Sequence, residues 1–174
     1  MSQKSISHPQ GADIPDESEL QRRIIDVLDE NQLMSLATLR SDGWPQVTVV
    51  NYFRDGRALY FLAARDSQKF QNIEHDPRVS IAIGGGLDHD GCVRAVSMSA
   101  RVAEVVQAHR ISEINALIRA RPPERPFMPH PTSNSIAVFE ARPEVVSLVD
   151  YSTPPGRRDL VRIVDAWRVE RLGP

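Results

Sequence analysis

With 174 residues, 21 of them Lys or Arg against 23 Asp or Glu for a formal charge of −2, the chain is long enough for one domain with a real core and not for two large ones. That charge speaks against broad nucleic-acid binding, which calls for a basic face, and no apolar run reaches the length of a membrane span. The polar start MSQKSISHPQ has no apolar signal-peptide core, and a lone Cys92 excludes an intramolecular disulfide, so a reducing cytoplasm is the expected compartment.

Residues 1–15 are polar, carry Pro9, Gly11 and Pro15 and show no periodicity, which predicts a mobile arm ahead of a single domain over 16–174. Asp16 to Asn31 has the spacing of a helix, with Leu20, Ile24, Val27 and Leu28 on one face and Ser18 with Gln21 as a capping box. Leu33 to Arg40 reads as a strand that turns at Asp42-Gly43. After Trp44-Pro45, Val47, Val49, Asn51 and Phe53 alternate with Thr48, Val50 and Tyr52, the period of a half-buried strand. Asp55-Gly56 supplies a tight turn into Ala58 to Ala64, a second and almost wholly apolar strand.

The character then changes at Arg65, Asp66, Ser67, Gln68 and Lys69. A hydroxyl, the free N–H groups of a helix start and two cations within five residues have the chemistry of an anion site. An ordinary capped helix with solvated charges has the same residues. That helix runs from Ser67 to His75 with Phe70 and Ile73 inward, and Pro77 stops it.

Val79 to Ile83 is a buried strand, and Gly84-Gly85-Gly86 is expected to be a flexible turn. Asp88-His89-Asp90 has no further His or Cys at ligand spacing nearby and reads as a polar hairpin tip, so no metal is expected. Cys92 to Val106 is a long alternating strand, and His109 to Arg121 a second helix with Ile111, Ile114, Leu117 and Ile118 on its apolar face. In PPERPFMPHP (122–131) five of ten residues lack a backbone N–H, which makes it a stiff excursion. Ser135 to Ala141, Val145 to Tyr151 and Leu160 to Val169 complete the strands. No Ser-His-Asp or Cys-His constellation is visible.

The run VTVV, RDG, LYFLAA, SQK and HDP, preceded by Thr38, Leu39, Asp42, Gly43 and Pro45, resembles the core of the pyridoxamine 5'-phosphate oxidase-like, FMN-binding split-barrel family. The closing WRVERLGP, with Trp167, Glu170, Arg171, Leu172 and Pro174, is similar to the C-terminus of the oxidases. The resemblance implies a mainly β fold, a split antiparallel β-barrel with a few helices. It also implies a homodimer holding FMN at the subunit interface and passing a hydride between flavin N5 and a small molecule.

Carried over, the cofactor contacts are Val47, Thr48, Val49, Val50, Leu62, Ala63, Ser67, Gln68 and Lys69, with Arg65 replacing the cation lost where the oxidases have Arg and this chain has Gln68. Arg121, Arg157, Arg158 and Arg171 are the substrate candidates, some of them from the second subunit. The loop STPPGRRD lacks the Arg-x-His of the true pyridoxamine phosphate oxidases, so that substrate does not follow. A deazaflavin reductase, and a protein that holds flavin, pyridoxal phosphate or haem without turnover, are the alternatives within the same resemblance.

Overall fold

A computed structural model describes residues 15–56, 58–87, 92–120, 135–152 and 156–173. The arm over 1–14, the Asp88-His89-Asp90 tip, Arg121 and the proline-rich stretch lie outside the described residues.

The first helix, α1 (Glu17–Glu30), buries Leu20, Ile24, Val27 and Leu28 as its periodicity requires. Its cap is Asp16, whose side chain accepts from the Glu19 N–H at 2.8 Å, and not the expected Ser18. Strands β1 (Leu33–Leu39), β2 (Pro45–Asp55) and β3 (Ala58–Ala64) follow with the expected turns between them. The helix α2 (Gln68–His75) and the strands β4 (Arg78–Leu87) and β5 (Val93–Glu104) come next. The chain ends with α3 (Ala108–Arg119), β6 (Ile136–Asp150), β7 (Arg157–Asp165) and β8 (Arg168–Arg171).

The strands run in the order β3-β2-β1-β4-β5-β6-β7-β8, every pair antiparallel, and β3 also pairs with β6. Six strands therefore close into a barrel, while β7 and β8 continue the sheet beyond β6. The barrel interior is filled by Met34, Leu36, Val50, Tyr52, Phe61, Ile81, Val96 and Phe139, with α1 and Trp167 closing it off. A smaller cluster lies on the outer wall under α3, where Phe53, Tyr60 and Val138 meet Ile114 and Ile118. Tyr60 stacks on Phe53 at 5.1 Å, and its hydroxyl accepts from Arg110 at 2.7 Å, which fastens α3 to the β2–β3 hairpin.

Three expectations are corrected. The two strands expected at 135–141 and 145–151 are one, β6, and Pro143 sits in it opposite Ala100, where the register with β5 shifts. A bulge is where a strand tolerates a residue with no N–H to give. The triple glycine lies within β4, with Gly84 and Gly85 at φ of +84° and +89°. A Cβ on Gly84 would come within 2.5 Å of the Arg94 carbonyl oxygen, so the bulge needs glycine there. The strand expected over Leu160–Val169 is a hairpin, because Ala166 and Trp167 both take positive φ, the two-residue turn whose twist suits antiparallel strands.

Candidate functional site

The barrel is split beside β2. That strand pairs with β3 only over Tyr52–Asp55, while β3 leaves to pair with β6 along Leu59–Ala64. From Val47 to Asn51, β2 is held on one side by β1 and faces a gap on the other. The Tyr52 N–H donates to the Gln32 carbonyl on the β1 side at 3.0 Å. Because backbone groups alternate along an antiparallel strand, those of Thr48 and Val50 also turn to β1. The N–H and C=O groups of Val47 and Val49 turn to the gap. The Asn51 carboxamide oxygen and the Thr48 hydroxyl are buried and have no partner among the described residues.

The side chains of Val47 and Val49 are 63% and 66% exposed, and Val50 belongs to the core. Leu62 packs against the cluster under α3, and Ala63 is buried inside the barrel. The resemblance thus groups residues that the fold sorts into two kinds. Some present backbone to the gap and the others build the wall behind it.

At the end of β3 the chain turns into α2. Ser67 caps that helix, its hydroxyl accepting from the Phe70 N–H at 3.2 Å and donating to the Ala64 carbonyl at 2.6 Å. Lys69, in the first turn, is half-buried and makes no ion pair among the described residues. Burial pushes its ammonium pKa below the ordinary lysine value. Arg65 is held differently, with both terminal guanidinium nitrogens on the Glu104 carboxylate and its Cζ 5.3 Å from the centre of the Phe70 ring. Of the two cations in this segment, Lys69 is the one left to meet an added anion.

Gln68 donates to the Asn72 carboxamide oxygen at 2.9 Å. Asn72, 1% exposed, donates in turn to Thr38 Oγ1 of β1 at 2.9 Å and to Gln46 Oε1 of β2 at 3.0 Å. Sequence reasoning missed this residue, because nothing local marks an Asn whose partners lie 26 and 34 positions away.

The substrate candidates separate. Arg157 and Arg171 both donate to Asp159, which is 4% exposed, and Arg171 also reaches the Pro15 carbonyl. Burial alone would raise the Asp159 pKa, but the hydrogen bonds from Arg157 and Arg171 outweigh it and hold the carboxyl below its ordinary value. Arg158 points the other way, its Nε donating to Ser147 at 3.1 Å. It borders an open groove of about 390 Å³ on the outer face of the sheet, with Val47 and Leu160 among its walls. The structure brings Val47 and Arg158 to one face and commits Arg157 and Arg171 to an ion-pair cluster. Arg121 lies outside the described residues.

Among the described residues no group of three His, Cys, Asp or Glu side chains is placed to hold a metal ion, and no helix is long and apolar enough to cross a membrane.

The family model described as pyridoxamine 5'-phosphate oxidase matches residues 20–150. General stress protein 26 of Bacillus subtilis is 27% identical over 134 residues, 77% of this chain and 91% of that protein. Among solved structures, a pyridoxamine 5'-phosphate oxidase-related, FMN-binding protein from Nostoc punctiforme superposes with a TM-score of 0.61 at 16% identity, covering 91% of this chain and 93% of the other. A heme-binding protein from Mycobacterium smegmatis gives 0.65 at 22% identity, and the match spans 87% of this chain but 60% of that longer one.

Proposed function

The chain belongs to the pyridoxamine 5'-phosphate oxidase family, and from that premise we propose that it is an FMN-dependent oxidoreductase acting on a small molecule as a cytoplasmic homodimer. The observation that carries the reading is Lys69, a half-buried ammonium with no counter-ion among the described residues, set one residue past the helix start that Ser67 caps. Desolvating a lysine without a partner is unfavourable, and a bound phosphate removes that cost. The open edge of β2 supplies the rest. The N–H groups of Val47 and Val49 suit the carbonyl-rich end of a flat ring, and the orphaned Asn51 oxygen can accept from a ring N–H.

Bound FMN supplies hydride chemistry at its N5 atom. The chain's own part is to bind, orient and shield. Lys69 and the first turn of α2 hold the phosphate, the backbone of Val47 and Val49 fixes the ring edge, and Leu62 with Ala63 forms the wall behind. The outer face carrying Val47, Val49 and Leu160 is apolar and exposed, and a second copy seated there excludes water from the cofactor. Arg158, whose guanidinium has donors to spare beyond the one given to Ser147, is the cation best placed on that face for an anionic substrate.

The absorption spectrum of the purified protein, with mass spectrometry of what heat releases, tests the proposal. A two-banded flavin spectrum and the mass of FMN are expected. A deazaflavin or haem in its place, or a colourless protein that fails to take up added FMN, would overturn it.

A further inference from the structure

We propose that Asn72 is the positioning residue of the cofactor site, its carboxamide setting how far the Lys69-bearing helix stands from the open edge of β2. The inference rests on the FMN reading but concerns a residue that touches no cofactor. Gln46, which accepts from Asn72, immediately precedes Val47. Gln68, which donates to Asn72, immediately precedes Lys69. One buried amide therefore ties α2, whose first residue is Gln68, to the start of the ring-lining strand, with Thr38 of β1 as a second anchor.

The apolar contacts of Phe70 and Ile73 press α2 onto the barrel, but apolar packing has no preferred register along the helix axis. Two hydrogen bonds from one planar group, to Thr38 of β1 and to Gln46 of β2, do fix it, while the third, from Gln68, stays within the helix. That third bond accounts for Gln68, which spends its amide on Asn72 and leaves the phosphate to Lys69.

The test compares Asn72→Ala with Ile73→Val, a substitution on the apolar face of the same helix that leaves these hydrogen bonds intact, with apo thermal midpoints measured for both. FMN affinity is read by quenching of flavin fluorescence and by visible circular dichroism of the bound flavin. Asn72→Ala should weaken FMN by about tenfold or more, the scale on which residues supporting a ligand shell act, and alter the dichroism. Ile73→Val should do neither. A wild type that binds FMN and an Asn72→Ala variant that binds it equally well would overturn the positioning role and leave the cofactor reading standing.

A wild type that takes up no FMN would overturn the cofactor reading instead. Titration of the Lys69 side chain by NMR in the apo protein then decides the positioning role. Release of α2 in Asn72→Ala returns the lysine toward its ordinary value, and an unchanged midpoint would overturn the proposal.

Discussion

Arg171 donates through Nη2 to the carbonyl oxygen of Pro15 at 2.9 Å, joining the last strand to the residue just before the cap of the first helix. The same guanidinium holds Asp159, and the Arg171 N–H reaches the Glu17 carboxylate at 3.3 Å. An arginine that resembles a substrate ligand in sequence is here the knot between both ends of the described chain.

Arg171→Ala should accordingly destabilise the fold by about 2–3 kcal/mol, somewhat under the cost of breaking a fully buried pair because the arginine is partly exposed. Urea denaturation measures this. FMN affinity of the folded fraction should be unchanged, and equal loss of both would return Arg171 to the site.

Asp159 sets an acid dependence. Its folded pKa is lowered, so the unfolded chain binds the extra proton, and the stabilisation is fully present above the ordinary carboxylate value near 3.8. It is lost as the pH falls through the folded value. Asp76, beside Arg78, and Asp150 act in the same direction. The informative quantity is therefore the difference between wild type and Asp159→Asn, whose denaturation midpoint should change less steeply below pH 4.

For Lys69 the pH slope has the same sign, but the charged form acts in the opposite way. Its folded pKa is lowered, so the charged lysine opposes folding of the empty protein, and stability rises as the pH climbs between the folded and the unfolded values. Lys69→Met, which keeps the aliphatic stem, should stabilise the apo protein at pH 7 and weaken FMN by about 10- to 100-fold, the worth of one charge-assisted hydrogen bond. In the wild type, FMN affinity should fall with rising pH before an ordinary lysine would titrate.

Alternation along β2 separates two neighbouring substitutions. Val49→Pro removes an N–H that faces the gap and should spare the fold while weakening FMN. Val50→Pro removes one that pairs with β1 and should cost about 3 kcal/mol or more of stability. Circular dichroism and flavin titration of both variants check this, and similar losses of stability would place the Val49 N–H in the ladder.

Val47→Asp puts a charge on the exposed outer face beside the groove that Arg158 borders. Light scattering after size exclusion should show a dimer for the wild type and a monomer for the variant, whose circular dichroism keeps the wild-type secondary structure. A variant that stays dimeric would place the subunit contact on another face.

The elements up to Pro77 were legible almost residue by residue, because alternation, Asp-Gly and a Ser cap are local signals. The C-terminal third was less so. Pro143 reads as a strand break unless the bulge opposite it is known, and Ala166-Trp167 carries no Gly or Asn to announce positive φ. Within the candidate site, the Ser67 cap and the helix start ahead of Lys69 were visible. Glu104, Asn72 and Asp159 were not, since each acts through a partner brought near by the barrel. Arg65 and Arg171 show the same limit from the other side, for composition reveals a cation and not the carboxylate that occupies it.

The packing of α1 on β8 has a consequence for biosynthesis. A helix synthesised ahead of every strand keeps part of its apolar face uncovered until Trp167 and Val169 have left the ribosome. Barrel closure through β3 and β6 likewise joins segments more than seventy residues apart, so little of the core can settle co-translationally. The nascent chain must stay soluble through that interval. The charged face of α1, where Glu19 pairs with both Arg22 and Arg23, is well suited to keeping it so.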